Sequence, residues 1–185
     1  YFDFISPYSY LAHKKIINLN LRNIFNYKAI LLGGLHNLAE VTPPAFNERK
    51  MKNMKDDCIL IAKKNKIPFK WNEKFPANSL YLMRGFLIID DNKKSKFIDL
   101  CFDAYWKDNI DILIDKNIQK ILKDCEINHA IFEKGIKEQK IKDKLKDLTN
   151  EAFKLGIFGA PTFLVNNKLF WGQDRLEYAI DESKN

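Results

Sequence analysis

The strand-forming signals of this chain sit only at its two ends. Between Pro43 and Lys142 every apolar recurrence has helical spacing: Met51, Met54, Cys58 and Ile61, then Leu80, Met83, Phe86 and Leu87, then stretches over roughly 94–106 and 110–122 and a short one from about Asn128. Thr42-Pro43-Pro44 opens this section as a rigid connector, Pro68 closes its first helix and Phe75-Pro76 punctuates it again. No alternating pattern and no internal repeat interrupts it. Any sheet must therefore be assembled from segments remote in sequence, with a block of helices between them.

The flanks supply those segments. Tyr1-Phe2-Asp3-Phe4-Ile5 reads as a buried strand, and Leu11, Ala12, Ile16 and Leu19 then recur at helical spacing. Ser6 falls at the N-cap and Pro7 at the first helical position, where a missing N–H costs nothing. Tyr27 to Leu32 is a second apolar run, ended by Gly33-Gly34, and two parallel strands joined this way make a right-handed crossover. At the far end, Leu145, Leu148, Ala152 and Leu155 mark a helix stopped by Gly156. Thr162–Val165 and Lys168–Trp171 flank Asn166-Asn167, a pair that tolerates positive φ and so predicts a hairpin. A last helix is predicted from about Gln173 to Ile180. Strand-helix-strand followed by helix-strand-strand-helix is an α/β, thioredoxin-like arrangement. Residues 1–42 and 143–185 are predicted to form the sheet-bearing domain, and residues 43–142 an all-helical insert domain.

Composition narrows the function classes. The net charge of +7 invites a nucleic-acid partner, but the lysines (Lys63-Lys64, Lys93-Lys94, Lys134 to Lys146) alternate with acids along helical stretches, the pattern of a solvated face. Arginine, which nucleic-acid surfaces concentrate, is confined to Arg22, Arg49, Arg84 and Arg175. No apolar run is long enough for a membrane span and no basic leader precedes the first strand, so neither a membrane nor export is expected. Cys58, Cys101 and Cys125 have no C-x-x-C or metal spacing and are expected as buried small hydrophobes in a reducing, cytoplasmic setting. His13, His36 and His129 match no metal or triad spacing either, and are expected on the surface or in linkers. No metal is expected.

The segment with most chemical content is Ser6-Pro7-Tyr8-Ser9. Thioredoxin-type redox proteins place a Cys-x-x-Cys at this strand-to-helix turn, because a helix start stabilises a thiolate. With serines at both positions, mixed disulfides are excluded and the sulfur must come from a ligand.

From Asp3 to Leu11 the chain resembles the opening of the 2-hydroxychromene-2-carboxylate isomerases, glutathione-dependent enzymes of the DsbA-like branch close to kappa-class glutathione transferases. Phe75-Pro76-Ala77-Asn78-Ser79-Leu80 with Met83-Arg84, Gly156 to Phe163 and Phe170 to Leu176 resemble further family segments, in the same order. The resemblance implies that Ser6 is catalytic, its hydroxyl bonded to the glutathione sulfur, with Pro7 and Tyr8 beside it. It implies a cis Pro161, with Ala160 pairing to the cysteinyl backbone. Gly172, Gln173 and Asp174 would take the γ-glutamyl end, and Lys50 the glycyl carboxylate. Asn78, Arg84 and Trp171 are candidates for the aromatic substrate's cleft. The relatives commonly carry Asn two residues before the paired prolines, where this chain has Val41. A homodimer, a role in breakdown of aromatic compounds and glutathione as cofactor follow from the same resemblance. A kappa-like transferase and a non-catalytic thiol or peptide carrier are the alternative readings.

Overall fold

The computed structural model describes residues 1–185. Its helices are α1 (Pro7–Asn18), α2 (Leu32–Leu38), α3 (Glu48–Lys64), α4 (Leu80–Ile88), α5 (Asp91–Trp106), α6 (Asp115–Asp124), α7 (His129–Gly135), α8 (Gln139–Lys154) and α9 (Leu176–Glu182). The strands β1 (Thr162–Val165) and β2 (Lys168–Trp171) lie between the last two. They pair antiparallel from Thr162 opposite Trp171 to Val165 opposite Lys168, around Asn166 and Asn167 at φ 49° and 61°. The predicted hairpin is therefore present, and Gly156, at φ +84°, ends α8 as expected. No strand forms between residues 43 and 142, and no helix is long and apolar enough to cross a membrane.

The first two predicted strands are much reduced. Residues 1–5 and 27–32 meet only in a parallel bridge between Phe2 and Ala29. Tyr1 also exchanges backbone bonds with Thr162, so the order across the fold is the Ala29 segment, the Tyr1 segment, β1, β2. Ladder formation stops because the buried Asp3 carboxylate turns inward, accepting from Ile5 N–H at 3.1 Å and Leu32 N–H at 2.8 Å. The second of these bonds also starts α2, so Gly33 and Gly34 lie within a helix rather than ending a strand. Two helix boundaries move as well. Asp111 takes the Leu113 N–H in a side-chain turn, which delays α6 to Asp115, and the final helix starts as a 3₁₀ turn at Gln173–Arg175.

One apolar cluster of 28 buried residues runs through the molecule. It joins Phe2, Phe4, Tyr10, Leu11 and Ala29 to Met54 and Cys58 of α3, Met83 and Phe86 of α4, Phe97, Phe102 and Trp106 of α5, and Leu145 of α8. Its rings meet mostly edge to face, as between Phe2 and Phe86 at 5.2 Å and Phe4 and Phe102 at 5.0 Å, the geometry aromatic quadrupoles favour. Cys58, Cys101 and Cys125 are free and buried within it. Thr149 fastens α8 to the sheet end, donating to Leu145 O at 2.8 Å and accepting from Leu31 N–H at 3.0 Å. Ser6 thus follows the bridged 1–5 segment over a core to which both ends of the chain and the helical section contribute.

Candidate active site

Ser6 caps α1 with extended backbone (φ −84°, ψ 115°), and its Oγ accepts from Ser9 N–H at 3.1 Å. Pro7 occupies the first helical position. The hydroxyl hydrogen of Ser6 is committed to a residue far along the chain: it is donated to Ala160 O at 2.8 Å. Ser6 is buried, and the peptide bond between Ala160 and Pro161 is cis. Pro7 carries no N–H, and the N–H groups of Tyr8 and Ala160 make no hydrogen bond within the protein. Two unpaired donors and the positive end of α1 thus lie on residues joined by the Ser6–Ala160 bond, an arrangement that favours an anion.

The turn before α9 is attached to this corner. Gly172 N–H donates to Pro161 O at 2.9 Å, and Gly172 sits at φ 107°, with Asp174 Oδ1 where a β-carbon would go. Gln173 is buried, and Lys15 of α1 donates to its Oε1 at 2.5 Å. Asp174 itself is exposed, 3.5 Å from Arg175. Trp171 is 54% exposed and packs on Phe158 at 4.8 Å, closing over Gly159 just before the cis bond. Tyr8 reaches the other way, donating to Asp57 Oδ2 of α3 at 2.8 Å. Burial and that carboxylate push its phenol far above the ordinary range, so Tyr8 stays protonated.

Ser6, Pro7, Tyr8, Ala160, Pro161, Gly172 and Gln173 are therefore held in one bonded frame, with Asp174 and Trp171 on its rim. Lys50 and Asn78 lie at helix starts. Lys50 N–H donates to Asn47 Oδ1 at 3.0 Å with its side chain exposed, while Asn78 Oδ1 accepts from Leu80 N–H at 2.9 Å. Arg84 is half-buried on α4 with no ion pair, and its Nε is enclosed without a partner. No hydrogen bond links these three to the Ser6 frame, and Val41 is exposed.

His13 and Asp3, both buried, were given no role from sequence. His13, expected at the surface, is 1% exposed and bridges Tyr27 Oη and Asp99 Oδ1 at 2.8 Å each, with Arg22 completing the group on Asp99. It follows Ala12 on the buried stripe of α1, so helical spacing carried the signal. Asp3 is fully buried three residues before Ser6, and its backbone carbonyl accepts the Ser6 N–H at 3.1 Å. Burial pushes its carboxyl above the usual range, against hydrogen bonds from Ser79, Leu32 and Ile5 that pull it down. A carboxyl raised on folding contributes stability at acid pH that is lost as pH rises through its unfolded value toward its folded one. Asp3→Asn, the nearest neutral mimic, should lack that slope. Urea unfolding across a pH series should show the native advantage over the variant shrinking as pH rises; parallel curves would contradict it.

Similarity to known proteins extends over nearly the whole chain. The model of the DSBA-like thioredoxin domain matches residues 1–181. The 2-hydroxychromene-2-carboxylate isomerase of Sphingobium xenophagum is 26% identical over 182 residues, covering 96% of this chain and 93% of that one. Glutathione S-transferase kappa 1 of Homo sapiens is 26% identical over 200 residues, covering 96% and 86%. A solved 2-hydroxychromene-2-carboxylate isomerase superposes with a TM-score of 0.88 at 23% identity, covering 98% of this chain and 91% of that one. A probable DsbA oxidoreductase of Streptomyces coelicolor gives 0.71 at 13% identity, covering 98% and 86%.

Proposed function

This chain belongs to the DSBA-like thioredoxin domain family, and from that premise we propose that it is a glutathione-dependent isomerase of the 2-hydroxychromene-2-carboxylate type. The observation that carries the reading is the Ser6–Ala160 hydrogen bond, set where redox relatives keep a cysteine, beside two unpaired N–H groups. The residues fit a peptide thiol. Ala160 offers a free N–H and a carbonyl, the two partners an extended cysteinyl backbone needs. Ser6, the Tyr8 N–H and the start of α1 would hold its sulfur, and the Gly172–Asp174 turn its γ-glutamyl end.

When bound, glutathione would supply a nucleophilic sulfur able to add reversibly to a conjugated carbon of the aromatic acid. Ser6 has one hydroxyl hydrogen, already donated to Ala160 O. For that hydrogen to serve a bound sulfur, Ala160 O would need another donor, which the amide of a peptidic ligand would supply. A charge-assisted bond of this kind is worth about 1.5–3 kcal/mol, and a helix start about 0.3–1 kcal/mol. At about 1.4 kcal/mol per pKa unit the two lower a thiol of pKa about 8.5 to near neutrality. Trp171 would wall the cleft for the aromatic ring.

The test is to mix the protein with glutathione and 2-hydroxychromene-2-carboxylate, following both the ring-opened product and free glutathione. The expected result is glutathione-dependent interconversion with no glutathione spent. Consumption of glutathione with a halogenated aromatic would assign the chain to the transferase side, represented by the kappa relatives. Absence of any glutathione binding would end both readings.

A further inference from the structure

Away from the Ser6 corner, three metal-ligating side chains from two helices converge. Asp115 opens α6, His129 opens α7, and Glu133 lies one turn farther along α7. His129 Nε2 is 3.0 Å from Asp115 Oδ1 and 3.9 Å from Glu133 Oε1, and the three donor atoms lie within 4.8 Å of one another. Bonds of about 2.0–2.2 Å to a tetrahedral zinc space its ligand atoms roughly 3.2–3.6 Å apart, between the two separations measured from His129.

The outer partners of the cluster matter as much as its spacing. Each carboxylate turns one oxygen inward and has the other held from outside. Asp115 Oδ2 accepts from Gln119 Nε2 at 2.5 Å, and Glu133 Oε2 from Lys137 Nζ at 2.8 Å. The Tyr81 hydroxyl donates to Glu133 Oε1 as well. Outer-shell donors of this kind fix the orientation of a ligating carboxylate.

We propose that Asp115, His129 and Glu133 form a binding site for a divalent transition cation, zinc by preference, that staples the start of α6 to the start of α7. One imidazole with two carboxylates suits zinc or cobalt better than magnesium or calcium, which take oxygen alone. Three protein ligands on an open surface leave a coordination position for water. No linear motif announces the site, because Asp115 arrives from a different helix.

Calorimetric titration of the metal-free protein with zinc chloride tests this, alongside His129→Ala and Glu133→Gln. The native chain should take up one zinc, and each substitution should weaken uptake by at least about tenfold. Cobalt should give the visible spectrum of oxygen and nitrogen ligation. Equal titration of native and His129→Ala proteins, a sulfur-to-cobalt band pointing to Cys58, Cys101 or Cys125, or no uptake at submillimolar zinc would each overturn the proposal.

Discussion

Replacing Ser6 with alanine is expected to reduce kcat/KM of the glutathione-dependent reaction by roughly 10- to 100-fold, the equivalent of the ~1.5–3 kcal/mol of a charge-assisted hydrogen bond. The same change removes the cap of α1, worth about 1 kcal/mol, and leaves Ala160 O without its protein donor. Stability and chemistry must therefore be read separately. The diagnostic quantity is the acidity of bound glutathione, followed by thiolate ultraviolet absorbance against pH. In the native protein the titration should be shifted down, and in the folded alanine variant it should return toward the usual thiol value of about 8.5. A variant that keeps both turnover and the shifted titration would show that the helix start and the Tyr8 N–H suffice without the hydroxyl.

Trp106→Ala should be the most destabilising single change in the chain, about 3–5 kcal/mol against a typical total of about 5–15 kcal/mol. Trp106 is fully enclosed, stacked on Phe69 at 5.8 Å and 11°, and crossed by Tyr105 at 4.8 Å. Its Nε1 donates to Phe4 O at 2.9 Å, so the last turn of α5 is bonded directly to the segment that leads into Ser6. Truncation would open a cavity and strand a buried carbonyl at once. Chemical denaturation should show the loss as a lower midpoint of one transition, because the core cluster has members from residues 1–42, 43–142 and 143–185 alike. Trp106→Phe, which keeps most of the ring volume, should cost less. Two separate transitions in the native protein, with only one moved by the substitution, would contradict the shared core.

What could be read from the sequence was whatever a few adjacent residues decide. Ser6 as a cap, Pro7 behind it, the Asn166-Asn167 turn and the Gly156 stop all follow from local backbone chemistry, and the structure has each of them. The order of helices and strands at the two ends placed the fold for the same reason. Contacts across long separations were illegible. Asp3 reads as an ordinary polar residue in a strand until Leu32 N–H is seen on its carboxylate, at the start of α2 where a strand end was predicted. The partner of the Ser6 hydroxyl is likewise set by where the Ala160 loop lands. Lys50, Asn78 and Arg84 were matched through resemblance, and the structure gives the first two local work at helix starts.

If the proposed function holds, the bond between Ser6 and Ala160 also bears on which thiols such a corner would accept. A simple mercaptan, lacking an amide at the right place, would draw the hydroxyl away and abandon a carbonyl in a nearly dry recess. That desertion carries a penalty of about 1–3 kcal/mol. A peptidic thiol fills the gap it creates. On this view the discrimination between them resides in the main chain beside the sulfur, in an acceptor that tolerates no idle moment, and needs no side chain dedicated to it.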